Sequence, residues 1–234
     1  MPRIGELITD DPIDPQRTTR WRPPRPGYVD EIGKGELRRR VLAARRAVPA
    51  AVREAEAAAL AAVRLPQWSD PASRSHSPGL SGTVCAYWPA DAEPGSPALL
   101  DGLVRRGCRV LLPVVGTPAV GAAAPLDWAA YTGPGSLGVG PLGLCEPTGP
   151  RLGCAAITTA VLVLVPALAV DRHGVRLGRG RGYYDRTLPL ATPGTPLVAI
   201  VRDDEVLASL PVQPHDVPVT AVLTPGMGLL PLPY

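Results

Sequence analysis

The sequence predicts an α/β fold: a single three-layer domain with a mainly parallel sheet and helices on both faces. Short β-branched apolar runs alternate along the chain with segments whose apolar residues recur every three to four positions, the signature of strands joined by crossover helices. The clearest run, Ile157 to Val165, is apolar almost throughout, as a strand covered on both faces must be. The length of 234 residues suits one sizeable domain and would crowd two.

Residues 1–33 hold Pro, Arg and Asp without an apolar signal core and are expected to form a flexible N-terminal extension. The α/β domain is expected over 34–224. Leu37, Val41, Ala44 and Val48 stand at helical spacing. Val52, Ala55, Ala59, Leu60 and Val63 continue it after a break at Pro49, so two helices are predicted. Residues 64–82 are rich in Pro, Ser and Gly and read as a loop that contains His76. A strand follows over 83–87, then a turn from Trp88 to Glu93, a helix from about Ser96 to Arg106, and strands over 109–115 and 126–131. Residues 133–147 are Gly- and Pro-punctuated and end in Glu146-Pro147, where Glu146 reads either as a cleft residue or as a solvated acidic turn. Beyond strand 157–165, a helix is expected from Tyr183 to about Leu190, strands over 197–201 and 220–223, and an irregular C-terminal tail over 225–234. Right-handed crossovers bring the loops after the parallel strands to one edge, so Glu93, residues 176–185 and Asp216 are expected to converge.

Composition narrows the function. A net charge of +3, with 24 basic residues spread among 21 acidic ones, argues against a nucleic-acid partner, which calls for basic residues gathered on one face. The longest nearly apolar run, Ala155 to Val170, is interrupted by Thr158, Thr159 and Pro166 and falls short of the ~20 residues of a membrane span. The four cysteines form no C-x-x-C pair or zinc spacing, and with no secretory signal a cytoplasmic chain with reduced thiols is expected. A monomer is expected.

The chemistry concentrates in Ala169-Val-Asp-Arg-His-Gly-Val-Arg-Leu-Gly-Arg-Gly-Arg-Gly-Tyr-Tyr-Asp-Arg-Thr-Leu188. Gly178, Gly180 and Gly182 remove every second side chain, so backbone N–H groups can approach an anion, and Arg176, Arg179 and Arg181 add charge. A helix opening at Tyr183 would add its positive end. The loop matches neither G-x-x-x-x-G-K-[ST] nor G-x-G-x-x-G. The residues alone read as a phosphate cradle or as a Gly-rich surface turn solvated by arginine. Lys34 is the sole lysine in a chain that otherwise uses Arg, and with Arg38 and Arg45 it forms a basic row within about 40° at the edge of the apolar stripe. Such a row points into a cleft rim, although a lone lysine also suits a solvated helix face. His173 and His215 read as caps of turns beside their aspartates.

The stretch resembles the signature of the ATP-dependent 5-formyltetrahydrofolate cyclo-ligase family, P-x-x-x-x-D-x-x-G-x-R-L-G-x-G-x-G-Y-Y-D-R. Pro166, Asp171, Gly174, Arg176, Leu177, Gly178, Gly180, Gly182, Tyr183, Tyr184, Asp185 and Arg186 all match. The likeness extends more diffusely over Lys34 to Leu223: Lys34, Leu37 and Arg38 reproduce a K-x-x-L-R pattern, and Glu93, Ser96, Gly107 and Pro113 an E-x-x-[TS] helix outline.

The resemblance implies ATP and 5-formyltetrahydrofolate as ligands and Mg²⁺ as cofactor. It implies that Lys34, Arg38, Arg176, Gly178, Arg179, Gly180, Arg181, Gly182, Tyr183 and Tyr184 bind ATP. Trp88, Glu93, Arg179, Gly180, Arg181, Gly182 and Tyr183 would hold the folate, with Arg179 and Arg181 stabilising the transferring phosphoryl group. Asp185 and Asp216 match positions associated with the metal; as plain residues they also read as a first-turn helix charge and a turn carboxylate, and Trp88 as ordinary core. The implied reaction phosphorylates the N5-formyl oxygen, after which N10 closes on that carbon and phosphate leaves, giving 5,10-methenyltetrahydrofolate. Thr220 and Pro225 depart from the family pattern near the expected metal side, which leaves open a catalytically weak member that only binds folate or nucleotide.

Overall fold

The computed structural model describes residues 28–66, 81–115, 124–140, 142–214 and 216–233, the side chains of 28–32 excepted. Residues 1–27 of the expected extension, together with His76 and His215, lie outside the described residues. The elements in chain order are helices α1 (Tyr28–Ala47) and α2 (Ala50–Ala62), strand β1 (Thr83–Cys85), α3 (Pro97–Arg105), β2 (Arg109–Val114), β3 (Asp127–Tyr131), β4 (Leu137–Val139) and β5 (Cys145–Pro147). Then come β6 (Ala160–Pro166), β7 (Ala169–Asp171), β8 (Arg176–Leu177), α4 (Tyr183–Thr187), β9 (Leu197–Ile200), β10 (Val206–Leu207), β11 (Ala221–Thr224) and β12 (Gly228–Pro231).

Seven strands form the central sheet in the order β12-β11-β9-β6-β1-β2-β3. The five inner strands are mutually parallel, and antiparallel β12 and β3 close the two edges. Period-two alternation divides its apolar residues between two cores. Val84, Val110, Leu112, Leu162, Leu164, Val198, Ile200 and Leu223 face Leu60 of α2 and Leu99 and Leu103 of α3. Cys85, Leu111, Val163, Val165, Ala199 and Val222 face Trp128, Ile157 and Leu188. The second face is covered by short pieces: the one-turn α4 and 3-10 turns at Cys154–Thr159 and Leu188–Leu190. A small sheet, β10-β7-β8, carries α1 through Leu37, Val41, Ala169, Leu177 and Leu207.

Several boundaries differ from the sequence expectation. α1 begins at Tyr28 and kinks at Gly33 (φ 70°, ψ 160°), so the expected domain start at Lys34 coincides with the kink rather than with the helix end. Ile157 to Thr159 form the end of a 3-10 turn, and the strand starts at Ala160. The C-terminal tail is not irregular: Gly228–Pro231 pairs antiparallel with β11 from Ala221↔Pro231 to Thr224↔Gly228. Val52, expected on the apolar stripe of α2, is exposed, whereas Leu60 is buried. Ser96 caps α3 by accepting the N–H of Leu99, with Pro97 at the first helical position.

All four cysteines are free; Cys85 and Cys108 are buried, Cys145 and Cys154 exposed. Burial pushes the Cys85 thiol up to about 12 and also raises Cys108. At pH 8 an alkylating reagent should therefore modify Cys145 and Cys154 in the native protein, with Cys85 slower by about a thousandfold until denaturant is added. Peptide mapping of the labelled thiols checks this, and rapid native labelling of Cys85 would contradict the packing of β1.

Candidate active site

The Gly-rich stretch leaves β8 of the small sheet and leads into α4. Gly180 (φ 93°) and Gly182 (φ 69°) take left-handed conformations, and Gly182 is the residue preceding the helix. α4 is a single turn of five residues continued by a 3-10 turn, shorter than the expected helix, so any helix-dipole contribution is confined to that one turn. Thr187 fixes its orientation. Its hydroxyl donates to the Tyr183 carbonyl at 2.7 Å and accepts the N–H of Leu126 at 2.8 Å, tying α4 to the start of β3.

Two side chains one turn apart on α1 reach this loop and its neighbour. Arg38 Nε donates to the Gly178 carbonyl at 2.8 Å, and Lys34 Nζ pairs with Asp216 Oδ2 at 2.9 Å across 182 positions of sequence. The expected basic row is thus realised for two of its three members. Arg45 instead turns inward, 2% exposed, and binds Glu205 through Nε and Nη2, each at 2.7 Å, with a further bond to the Ala167 carbonyl.

On the other side of the loop, Arg179 Nε pairs with Glu93 Oε1 at 2.8 Å, and its Nη1 lies 3.6 Å from Asp91. Glu93 also accepts the N–H of Ala90, which closes the turn after β1. The loop arginine and the carboxylate after β1 therefore meet as the topology required. Trp88 is half-buried and stacks at a tilt on Tyr131, with ring centroids 5.9 Å apart, so one side of the indole belongs to the core edge. Arg181 is exposed, and among the described residues its side chain makes no hydrogen bond or ion pair. Tyr183 is half-buried beside Tyr184, whose hydroxyl is buried without a partner among the described residues. Burial, then Glu93 and Cys85, hold the Tyr184 phenol well above its usual range against the opposing charge of Arg176.

The two expected metal carboxylates are both engaged with cations. Asp185 Oδ1 lies 2.5 Å from Nη2 of Arg176, and Asp216 also accepts the N–H of Gln213 at 2.7 Å. Arg176, expected among the ATP-binding residues, has a side chain only 4% exposed and faces Asp185 rather than the mouth of the loop. Among the described residues no three His, Cys, Asp or Glu side chains gather into a metal cluster. A hydrated Mg²⁺ held by one or two carboxylates and by phosphate oxygens needs no such cluster.

The sequence model of the 5-formyltetrahydrofolate cyclo-ligase family matches residues 30–225. The chain belongs to this family. It is 50% identical over 202 residues to the 5-formyltetrahydrofolate cyclo-ligase of Mycolicibacterium smegmatis, covering 85% of this chain and 97% of that one. It is 32% identical over 145 residues to that of Escherichia coli, covering 62% and 78%. Among solved structures, the 5,10-methenyltetrahydrofolate synthetase of Aquifex aeolicus superposes with a TM-score of 0.61 at 24% identity, over 85% of this chain and 92% of the other. That of Mycoplasma pneumoniae gives 0.55 at 16%, over 81% and 96%. These two show a shared fold.

Seen as a cyclo-ligase family member, the chain's two departures separate in space. Thr220 and Pro225 flank β11 and so stand roughly 17 Å apart at about 3.3 Å per residue, too far to border one metal ion. Thr220 exchanges bonds with the Leu197 backbone at the start of β9, and Pro225 opens the turn into β12. Glu146 is neither a solvated turn nor exposed: it sits in β5, buried, and accepts the N–H of Val115. Sequence reasoning passed over Thr187, whose side chain carries no motif of its own, and left the signature's Asp171 without a role. An Asp three residues before a Gly is a turn signal that could have drawn notice to Asp171.

Replacing Arg176 with Met leaves the part-buried Asp185 carboxylate without its cation and should lower stability by about 2 kcal/mol. Urea denaturation measures it. A change below about 0.5 kcal/mol would show that the pair contributes nothing beyond a surface contact.

Proposed function

We propose that this chain converts 5-formyltetrahydrofolate to 5,10-methenyltetrahydrofolate, with ATP cleaved to ADP and phosphate and Mg²⁺ as cofactor. The observation that carries the reading is the bridging position of the Gly178–Gly182 loop. One end is bound by Arg38, beside Lys34, and the next residue of the loop, Arg179, is bound to Glu93. A loop held between a cationic helix and a carboxylate suits two ligands side by side, a polyphosphate and a pterin whose N–H groups donate to Glu93.

In the proposed reaction the N5-formyl oxygen attacks the γ-phosphorus, the bond to the bridging oxygen breaks, and ADP leaves. N10 then adds to the activated carbon and gives up its proton, and the carbon–oxygen bond breaks to release phosphate. Positioning and charge neutralisation suffice for this route, and no enzyme nucleophile is required. Lys34 suits the terminal phosphate oxygens as a compact point charge. Arg179 and Arg181 suit the transferring group, where a well-placed arginine can be worth ~10³ in rate. Asp185 and Asp216 would hold Mg²⁺: each is a carboxylate with one oxygen, Oδ1 of Asp185 and Oδ2 of Asp216, paired with a cation of the proposed phosphate site. When bound, Mg²⁺ would supply charge compensation for the polyphosphate. A cytoplasmic setting, where thiols stay reduced, is part of the same reading. Thr220 bonds the Leu197 backbone and Pro225 opens the turn into β12; ADP release in step with folate turnover would exclude the binding-only reading that these two departures motivate.

Methenyl product absorbance should grow only when 5-formyltetrahydrofolate, ATP and Mg²⁺ are all present, with ADP released in step. Folded protein at high concentration that yields neither would sink the reading. Lys34→Met should raise the KM for ATP by about tenfold or more, the worth of a charge-assisted hydrogen bond, and leave the KM for folate nearly unchanged. An unaltered ATP dependence would return Lys34 to the status of a surface residue.

A further inference from the structure

The signature residues Asp171 and Gly174 hydrogen-bond to none of residues 178–182, yet their surroundings are highly specified. Asp171 is 1% exposed, and its carboxylate accepts three backbone N–H groups. Oδ1 takes those of His173 and Val175, each at 2.9 Å, closing the turn between β7 and β8. Oδ2 takes that of Leu210, also at 2.9 Å, from 39 positions away. Gly174, at the tip of the same turn, accepts the N–H of Val219 at 2.8 Å. Its φ is +88°, and a Cβ there would stand 2.3 Å from the Val219 carbonyl oxygen.

Leu210 and Val219 bound the segment that carries Asp216, and that segment has no helix or strand among its described residues. Its course is therefore set at both ends by one turn. The identity of Asp171 follows from the second bond. Asparagine could close the turn through its carbonyl oxygen, but its amide nitrogen would then face the Leu210 N–H, donor against donor. Only a carboxylate accepts on both sides.

We propose that Asp171 and Gly174 are positioning residues: the β7–β8 turn clamps both ends of the 210–219 segment and so delivers the Asp216 carboxylate to Lys34 and the nucleotide. The proposal rests on the reading above that Lys34 and Asp216 serve Mg-ATP. It gives the D-x-x-G part of the signature a task distinct from that of the glycines and arginines that follow.

The test compares Asp171→Asn, Gly174→Ala, Asp216→Asn and the double variant Asp171→Asn/Asp216→Asn in the full chain, by hydrogen–deuterium exchange and by separate KM values for Mg-ATP and folate. Asp171→Asn should remain folded by thermal melting, while amides of the 210–219 peptide exchange about tenfold faster or more. The KM for Mg-ATP should rise about tenfold and that for folate by less than about twofold. The double variant should be no worse toward Mg-ATP than Asp216→Asn alone, because both act through one carboxylate. Gly174→Ala keeps the Asp171 carboxylate and drives a Cβ against the Val219 carbonyl, so it loosens the clamp from its other end and decides the matter where Asp171→Asn does not fold. Unchanged exchange, or equal rises in both KM values, overturns the clamp. Loosened exchange together with an Asp216→Asn variant of normal Mg-ATP affinity would uphold the clamp's mechanics but overturn its delivery of a nucleotide ligand, and so fault the reading of Asp216 instead.

Discussion

The placement of α1 is the constraint on which the site depends, and a buried ion pair at its far end sets that placement. Leu37 and Val41 give the helix an apolar seat on the small sheet, but two side chains leave rotation and sliding weakly fixed. Arg45 removes that freedom: its guanidinium grips both oxygens of Glu205 and the carbonyl of Ala167. Glu205 is itself held by the N–H of Arg202 at 2.8 Å, and the Arg202 side chain pairs with Glu56 of α2. Two helices are thus referred to one turn after β9. A buried pair of this kind adds little net stability against an apolar replacement but is costly to break singly, so its contribution is orientation. Lys34 lies about 16 Å along the axis from Arg45 at 1.5 Å per residue. A helix fixed at one end by so directional a contact delivers Lys34 and Arg38 to defined points at the other.

The parts of this design that could be read in the sequence are those that repeat. The stripe of α1 carries enough residues to reveal its period, the unbroken apolar runs of β6, β9 and β11 mark buried strands, and the glycines and arginines of 176–182 announce an anion loop. Strands of two to four residues, such as β7, β8, β10 and β12, have no period to show, and Gly228 and Pro231 make β12 look like tail. Arg45 was legible in azimuth only. A cation at the margin of an apolar stripe is equally well placed for a solvent rim and for a buried carboxylate, and nothing local announces that Glu205 waits 160 positions away. The same holds for Asp216 opposite Lys34. Pairings between distant segments are decided by topology, which periodicity does not encode.

Around the loop every carboxylate that the reaction would use already has a cation. Asp185 has Arg176, Glu93 has Arg179 and Asp216 has Lys34. The three pairs differ in how readily they can change partners. Arg176 is enclosed, and drawing it off Asp185 would strand a desolvated charge. Arg179 is 39% exposed, so water screens the loss of its contact with Glu93, and its side chain can swing toward a phosphoryl oxygen at small cost. Lys34 and Asp216 lie between these extremes, and under the proposed function a Mg-polyphosphate would offer them an exchange in which each charge gains an opposite partner as it loses one: phosphate oxygen for the ammonium, metal for the carboxylate. Burial therefore sorts the cations of the signature by task. Arg176 belongs to the frame of the loop, and in the proposed reaction Lys34, Arg179 and Arg181 would be the charges that follow the substrate.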